Sequence, residues 1–334
     1  MNTQPIFPER LPESQIIDQL NAAMYQVAIF KAAIELNLWG KVAAGHATVE
    51  ELAAAEGWDL NGTRMLLDDV CTLKLLTMEE GRYKLPSEAE AYLLPGKPTY
   101  LGQFLASEYS WEGNGKLAEA IRMGLRPIEY TATNAESIDT WIAVYTRSWA
   151  APETYLKRCD ALWEALGIRA RDGLRVFDVA CGPAPKTLPL ARQHPGVHVT
   201  LLDWERILET AGKVAAHLGI AQQVTFLPGD LWSVTYPGGK YDVVYLGSIT
   251  HFFSPEENTR LFHKVYDALA IGGAIIINSV RRENPDPMAP ELWFYAVSAG
   301  GAVYDFHEYA QMLEAAGFHD IVDVSDQPIK AVKR

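Results

Sequence analysis

The sequence predicts an α/β protein: a doubly wound, mostly parallel sheet with an antiparallel edge, preceded by a smaller helical module. From residue 175 onward, short apolar, β-branched runs alternate with helix-forming segments. The runs are apolar on both faces, as strands of a sheet covered on both sides must be. The first 97 residues instead show helical spacing and one short hairpin. The expected boundaries are 1–97, 98–166 and 167–334, with Pro95 and Pro98 punctuating the first.

In chain order, residues 14–38 carry Ile16, Leu20, Met24, Ile29, Ala33 and Leu36 at mostly helical spacing with few charges, a helix that wants a partner. Thr48 followed by Glu51 has the order of a capping box, and Leu60 opens a second helix expected to run to Leu75. TMEEGRYKL reads as two short strands around a Glu80-Gly81 turn. Helices followed by a hairpin is the order of a winged helix, whose obvious use is DNA binding.

Charge argues against that use. The chain of 334 residues has a net charge of -13. Residues 47–93 hold four basic residues (Arg64, Lys74, Arg82, Lys84) against ten acids, which would repel a phosphate backbone. A subunit interface is the expected role, with no nucleic-acid or membrane partner. The three cysteines, Cys71, Cys159 and Cys181, are few, odd in number and without CxxC spacing, as thiols of a reducing cytoplasm would be. The amino terminus lacks a signal-peptide pattern and no run of about 18 apolar residues occurs, so a soluble cytoplasmic protein is expected. No clustered carboxylate and histidine spacing suggests a metal.

Residues 100–166 are rich in rings: Phe104, Tyr109, Trp111, Trp141, Tyr145, Trp149 and Tyr155. Each alone would simply pack in a helical core. Together they suit the wall of a pocket for a flat, apolar ligand.

RVFDVACGPAPKTLPLARQHPGVHVTLLDW, residues 175–204, is strand, turn, helix and strand, ending in Asp203 where a ribose diol is held at a strand-order switch point. Further strands precede Gly229-Asp230 and Gly247-Ser248, and another follows Gly272-Gly273. Helices are expected over 205–218, 255–270 and 304–317, with two short strands at the sheet edge after 321. Four features thus fall at carboxyl ends of strands: residues 178–185, 203–204, 229–232 and 247–251. Ligand crevices of open α/β sheets lie at those ends.

These motifs in this order resemble the S-adenosylmethionine-dependent methyltransferases with an amino-terminal winged-helix dimerisation domain, the family of hydroxyindole and plant phenolic O-methyltransferases, here in a bacterial branch. The likeness runs from TVEELAAAEGWDLNGTRMLLDDVCTLKLL through FDVACG, LLDW, FLPGD and HFFSPEE to YDFHEYAQMLEAAGF. It implies a Rossmann-like class I methyltransferase domain, a homodimer, S-adenosylmethionine as cofactor and a small aromatic or polyketide-like acceptor. Asp178 and Gly182 would shape the turn under the methionyl part. Asp203 would accept the ribose hydroxyls, Trp204 would stack under adenine or pack on a helix, and Gly229, Asp230 and Leu231 would border the adenine. Gly247 and Ser248 would flank the sulfonium, a cation favoured by acidic and aromatic surroundings.

His251 aligns with the histidine that takes the acceptor's hydroxyl proton, which suits a phenol with a pKa of about 10. Trp293 and Phe294, with Tyr295, would close the pocket opposite the helical rings. The sequence departs from the family in two places. The turn reads D-x-A-x-G-x-A with Pro183 and Pro185 added, where the family has D-x-G-x-G-x-G. The carboxylates that usually accompany the histidine are replaced by Phe252 and, on the next strand, Asn278. The rival readings are methylation of carbon or nitrogen, or a reaction on the same fold and cofactor that transfers no methyl, in either case without a histidine base, and a ligand-sensing winged-helix regulator.

Overall fold

The computed structural model describes residues 14–97, 99–102, 114–124, 142, 152–285, 291–298, 300–324 and 328–334. The chain divides into two units, Met1–Ala106 and Ser107–Arg334.

In the first unit, helices Gln15–Glu35, Leu38–Ala43, Val49–Glu56 and Leu60–Thr72 precede strands β1 (Thr77–Glu79) and β2 (Arg82–Lys84) and helix Ser87–Tyr92. The helix expected to reach Leu75 stops at Thr72, because Lys74 turns left-handed (φ 61) and the Leu75 amide folds back to the Val70 carbonyl at 3.1 Å. Glu80 (φ 50) and Gly81 (φ 76) make the tight turn between the strands.

Leu38, Trp39, Leu52, Leu67, Val70 and Tyr83 form the core, and the Trp39 indole donates to the Leu75 carbonyl at 2.8 Å. Thr48 caps its helix by accepting the Glu51 amide at 3.2 Å. The Glu51 carboxylate returns not to Thr48 but to the Ala47 amide (2.7 Å), while both its oxygens meet the Arg82 guanidinium at 3.0 Å. Those bonds hold its carboxyl below the usual range and tie the hairpin to the helix. Along Gln15–Glu35 only Ala33 and Ile34 are buried, whereas Ile16, Leu20, Met24 and Val27 stand more than half exposed.

The second unit holds a seven-stranded sheet of order β5-β4-β3-β6-β7-β9-β8. Strands β3 (Arg175–Val179), β4 (His198–Asp203), β5 (Val224–Pro228), β6 (Tyr241–Gly247) and β7 (Leu269–Asn278) are parallel. The last two, β8 (His319–Asp323) and β9 (Ile329–Val332), are antiparallel, with β9 inserted beside β7. Strand order reverses between β3 and β6, so the predicted switch point is present.

Alternate strand residues feed two core layers. Phe177, Val179, Val244, Leu246, Ile275 and Ile277 pack under helices Pro255–Ala268 and Phe306–Ala315. Val176, Val199, Leu201, Val243 and Ile276 pack under helices Pro152–Ala165, Thr187–Gln193 and Glu205–His217. The helix expected to end at 270 ends at Ala268, and β7 begins before its glycines. The reason is a bulge: pairing slips between Tyr241 and Val243, Gly272 takes φ 79, and a Cβ on Gly273 would lie 2.9 Å from two backbone oxygens. No helix among the described residues is long and apolar enough to cross a membrane.

Candidate active site

The turn after β3 places Ala180, Gly182 and Ala184 at φ 55, 55 and 51. The two alanines therefore take the left-handed conformation that glycine would adopt freely, at a cost of about 1–2 kcal/mol each. A methyl group is the smallest side chain that keeps them buried or nearly so. Pro183 and Pro185 donate no amide, and helix Pro152–Ala165 collects the carbonyls that remain. Tyr155 Oη and Cys159 Sγ meet the Pro185 carbonyl, the thiol at 3.5 Å, and the Trp163 indole donates to Lys186 O at 2.8 Å. These three side chains stand four residues apart on one helix face. Cys181, within the turn, is 6 % exposed, and burial pushes its thiol well up.

Asp203 closes β4 with its oxygens accepting the Gly182 and Trp204 amides, both at 2.8 Å. Burial pushes its carboxyl up to about 6 against the downward pull of those two bonds. Asp178, 2 % exposed, accepts the Thr187 hydroxyl at 2.5 Å. Burial, opposed by the Thr187 bond and aided by the charge of Asp203, raises it to about 8, so at neutral pH it holds its proton. Trp204 is half-buried, immediately before helix Glu205–His217.

At the end of β5, Gly229 takes φ 143, and a Cβ there would meet Val234 Cγ2 at 2.5 Å. Asp230 accepts the Trp232 amide at 2.6 Å. The loop is held by Lys264, whose ammonium donates to the carbonyls of Leu231 (2.6 Å), Trp232 (2.9 Å) and Val234 (3.1 Å). At the end of β6, a Cβ on Gly247 would sit 2.7 Å from the Tyr245 ring, and Ser248 (φ 55) donates its amide to Asn278 O at 2.9 Å.

His251 lies in a single 3-10 turn, Thr250–Phe252, and Ser254, not His251, caps the following helix with a full capping box to Glu257. The imidazole is 4 % exposed, with its centroid 4.0 Å from that of Phe294 and 4.7 Å from that of Phe252. Burial pushes its pKa down to about 3, so it is neutral. Asn278, expected at the orienting position, turns away and donates to Tyr245 Oη at 2.8 Å. The neighbour of His251 Nδ1 is instead Ser279 Oγ, at 3.4 Å. Thr250 Oγ1 donates to Ser279 Oγ at 2.8 Å and lies 2.6 Å from Tyr309 Oη.

The fold thus gathers Asp178, Gly182, Asp203, Trp204, Gly229, Asp230, Leu231, Gly247, Ser248 and His251 at the carboxyl ends of neighbouring strands β5, β4, β3 and β6 and the turns after them. Phe294 packs against His251 with the two rings tilted by 36°, and Trp293 is half-buried beside Phe252. Tyr109, Trp111, Trp141, Tyr145 and Trp149 lie outside the described residues. Thr187, Lys264, Thr250, Ser279 and Tyr309 are partners that no motif in the sequence signals. Among the described residues no group of three or more potential ligands could hold a metal ion.

Comparison with known proteins gives the same picture over both units. A family profile described as the O-methyltransferase domain matches residues 116–319, and one described as the O-methyltransferase dimerisation domain matches residues 18–95. The chain is 26% identical to a 3-hydroxy-5-methyl-1-naphthoate 3-O-methyltransferase of Streptomyces sahachiroi, over 92% of this chain and 90% of that one. It is 27% identical to an L-tyrosine C(3)-methyltransferase of Streptomyces lavendulae, over 86% and 82%. The fold matches human N-acetylserotonin methyltransferase, solved in complex with S-adenosylmethionine, at a TM-score of 0.71 and 20% identity, over 98% of this chain and 99% of that one.

Proposed function

Since the chain belongs to the O-methyltransferase family and is an S-adenosylmethionine-dependent methyltransferase, we propose that its acceptor is a hydroxyl on a small aromatic or polyketide-like metabolite. The observation that carries this reading is the placement of His251 and two flanking aromatic rings, Phe252 and Phe294, just beyond the β6 end of the cofactor crevice.

The residues present fit the cofactor. Each Asp203 oxygen uses one acceptor site on a backbone amide and keeps a second, the number that a vicinal diol needs. Gly229 and Gly247 let the backbone at both strand ends pack against Val234 and the Tyr245 ring, where a Cβ would collide. When bound, S-adenosylmethionine supplies an electrophilic methyl group on a sulfonium. Asp178 and Gly182 would hold the methionyl part, Asp203 and Trp204 the ribose and adenine, Asp230 and Leu231 the adenine edge, and Gly247 and Ser248 the sulfonium. In this reading the chain works mainly by holding the acceptor in line, with His251 handling its proton.

The rings at 109, 111, 141, 145 and 149, with Trp293 and Phe294, are the proposed acceptor pocket, and residues 1–97, 98–166 and 167–334 the proposed dimerisation, pocket and cofactor parts. The dimerisation profile and the exposed apolar residues of Gln15–Glu35 support a homodimer. The free thiols suit a reducing cytoplasm.

A second reading has one observation in its favour: among the described residues no carboxylate bonds to His251, which suits a carbon acceptor that needs no base. Calorimetric titration with S-adenosylhomocysteine tests the cofactor site, and the absence of heat and thermal shift would reject it. His251→Ala separates the two readings: a fall in turnover of tenfold or more, about 1.4 kcal/mol, supports the hydroxyl acceptor, and full turnover the second reading.

A further inference from the structure

We propose that the chain carries a second ligand site, at the end of the sheet opposite the cofactor crevice, and that it takes a small aromatic carboxylate. The site lies wholly in the second unit and does not depend on the identity of the methyl acceptor.

A cavity of about 430 Å³ lies there, a size typical of small-molecule sites. One wall is the segment 167–174, which joins helix Pro152–Ala165 to β3. The other walls are the β6–β7 bulge, at Asp242 and residues 271–274, and β9, at Lys330 and Val332. The five residues of β3, about 16 Å at the usual rise per residue, separate it from the cofactor turn.

The lining joins two chemistries. Its apolar part is Ile168, Leu174, Val243 and Ala274, each 9 % exposed or less, together with Ile271, which at 77 % exposure offers surface that a ligand would cover. Its charged part is cationic. Arg169, Arg171 and Lys330 stand against a single acid, Asp242, in a chain whose net charge is -13.

That acid is already engaged: Oδ2 accepts the Arg175 amide at 2.7 Å, and Oδ1 lies 3.6 Å from Arg171 Nη2. The neighbouring acid, Asp172, lies 3.7 Å from His194 Nδ1. Lys330 uses one of its three ammonium hydrogens on the Leu166 carbonyl at 2.7 Å and keeps two. The Arg169 guanidinium makes no ion pair among the described residues. A free planar guanidinium matches a carboxylate with two parallel hydrogen bonds, and the apolar lining favours a ring over an inorganic anion. The two ends of the parallel strands thus differ in sign. Asp203 and Asp230 stand at the end proposed to hold a sulfonium, and the three cations at the other, so an organic anion is drawn to the second and not to the first.

The test is 13C-methyl isoleucine NMR on the full-length protein titrated with 2-naphthoate, with the two reporter signals assigned by Ile168→Val and Ile271→Val. Both signals should shift and saturate. Affinity should be weaker by about fivefold or more for the uncharged analogue 2-naphthalenemethanol, and likewise for 2-naphthoate with Arg169→Glu. Arg169 is exposed, so that variant should fold, and the analogue tests the role of charge on the wild type in any case. Saturating S-adenosylhomocysteine should leave the affinity for 2-naphthoate within about twofold. Absence of saturable shifts at both residues, equal affinity for the alcohol, no change with Arg169→Glu, or displacement by S-adenosylhomocysteine overturns the proposal. Failure to bind S-adenosylhomocysteine would instead strike the cofactor reading and leave the anion site standing.

Discussion

Asp203 accepts the amide hydrogen of Gly182 at 2.8 Å, so the acid that ends β4 braces the turn that follows β3. One carboxylate thereby shapes that turn and, in the proposed function, accepts the ribose as well. Its other oxygen is held by the Trp204 amide at 2.8 Å, and a group that only accepts is required on both sides.

Replacing Asp203 by Asn sets an NH2 against one of two amide donors. We expect a loss of about 1–3 kcal/mol in stability, and a fall of tenfold or more in S-adenosylhomocysteine affinity. Differential scanning fluorimetry and calorimetry read the two effects. An unchanged affinity would remove Asp203 from the ribose site.

Asp178 makes the stability of the cofactor-free protein depend on pH. Its carboxyl rises from 3.8 in the unfolded chain to about 8 in the fold, so between those values the native state holds a proton that the unfolded state has lost. Stability from this group is complete below 3.8 and declines as pH rises through 8. Asp203, raised to about 6, has largely finished titrating above about pH 7, and His251, lowered to about 3 from 6.5, titrates alike in wild type and variant, so pH 7 is the starting point of the comparison. From there to pH 8, Asp178→Asn should show a flatter melting profile than the wild type and gain on it by about 1 kcal/mol or more. Parallel profiles would show that Asp178 is ionised throughout.

At Ala180 the left-handed backbone reverses the usual ranking of substitutions. Glycine relieves about 1–2 kcal/mol of strain and gives back about 0.5–1 kcal/mol through a looser unfolded chain. Ala180→Gly should therefore melt at or above the wild-type temperature, and Ala180→Val should lose about 2 kcal/mol or more. A large loss on Ala180→Gly would contradict the turn geometry.

Lys264 is the brace of the loop after β5, the loop proposed to border the adenine. Lys264→Met strands three carbonyls and should cost about 1–2 kcal/mol in stability. It should also weaken S-adenosylhomocysteine binding about fivefold while leaving kcat at saturating cofactor nearly unchanged. Loss of kcat with normal affinity would assign Lys264 a different role.

The exposed face of Gln15–Glu35 makes a prediction about assembly. Leu20 is 67 % and Met24 56 % exposed. Lysine at both positions should convert a dimer to a monomer by light scattering, with the fold retained by circular dichroism. A wild-type monomer would refute the dimer outright.

The sheet and the four carboxyl-end features are legible in the sequence because apolar runs and turn glycines are local signals. Ala180 and Ala184 are legible as small residues, but their left-handed φ comes from closure of the turn between β3 and its helix. The partners of Tyr309 and Lys264 are not legible, since long-range pairing decides them. Tyr309 reaches Thr250 across 59 residues and Lys264 reaches Leu231 across 33. Asn278 is the instructive case. Position places it beside the histidine, yet the side-chain alternation of β7 turns it to Tyr245 and leaves Ser279 for His251.

Cys181 sits inside the cofactor turn with 6 % of its surface exposed and an acidity suppressed by burial. An alkylating reagent reaches that sulfur only while the turn is open, so the labelling rate counts openings per unit time. The thiol is a built-in clock. Any molecule that clamps the turn will slow it in proportion to its occupancy, with no knowledge of the acceptor needed.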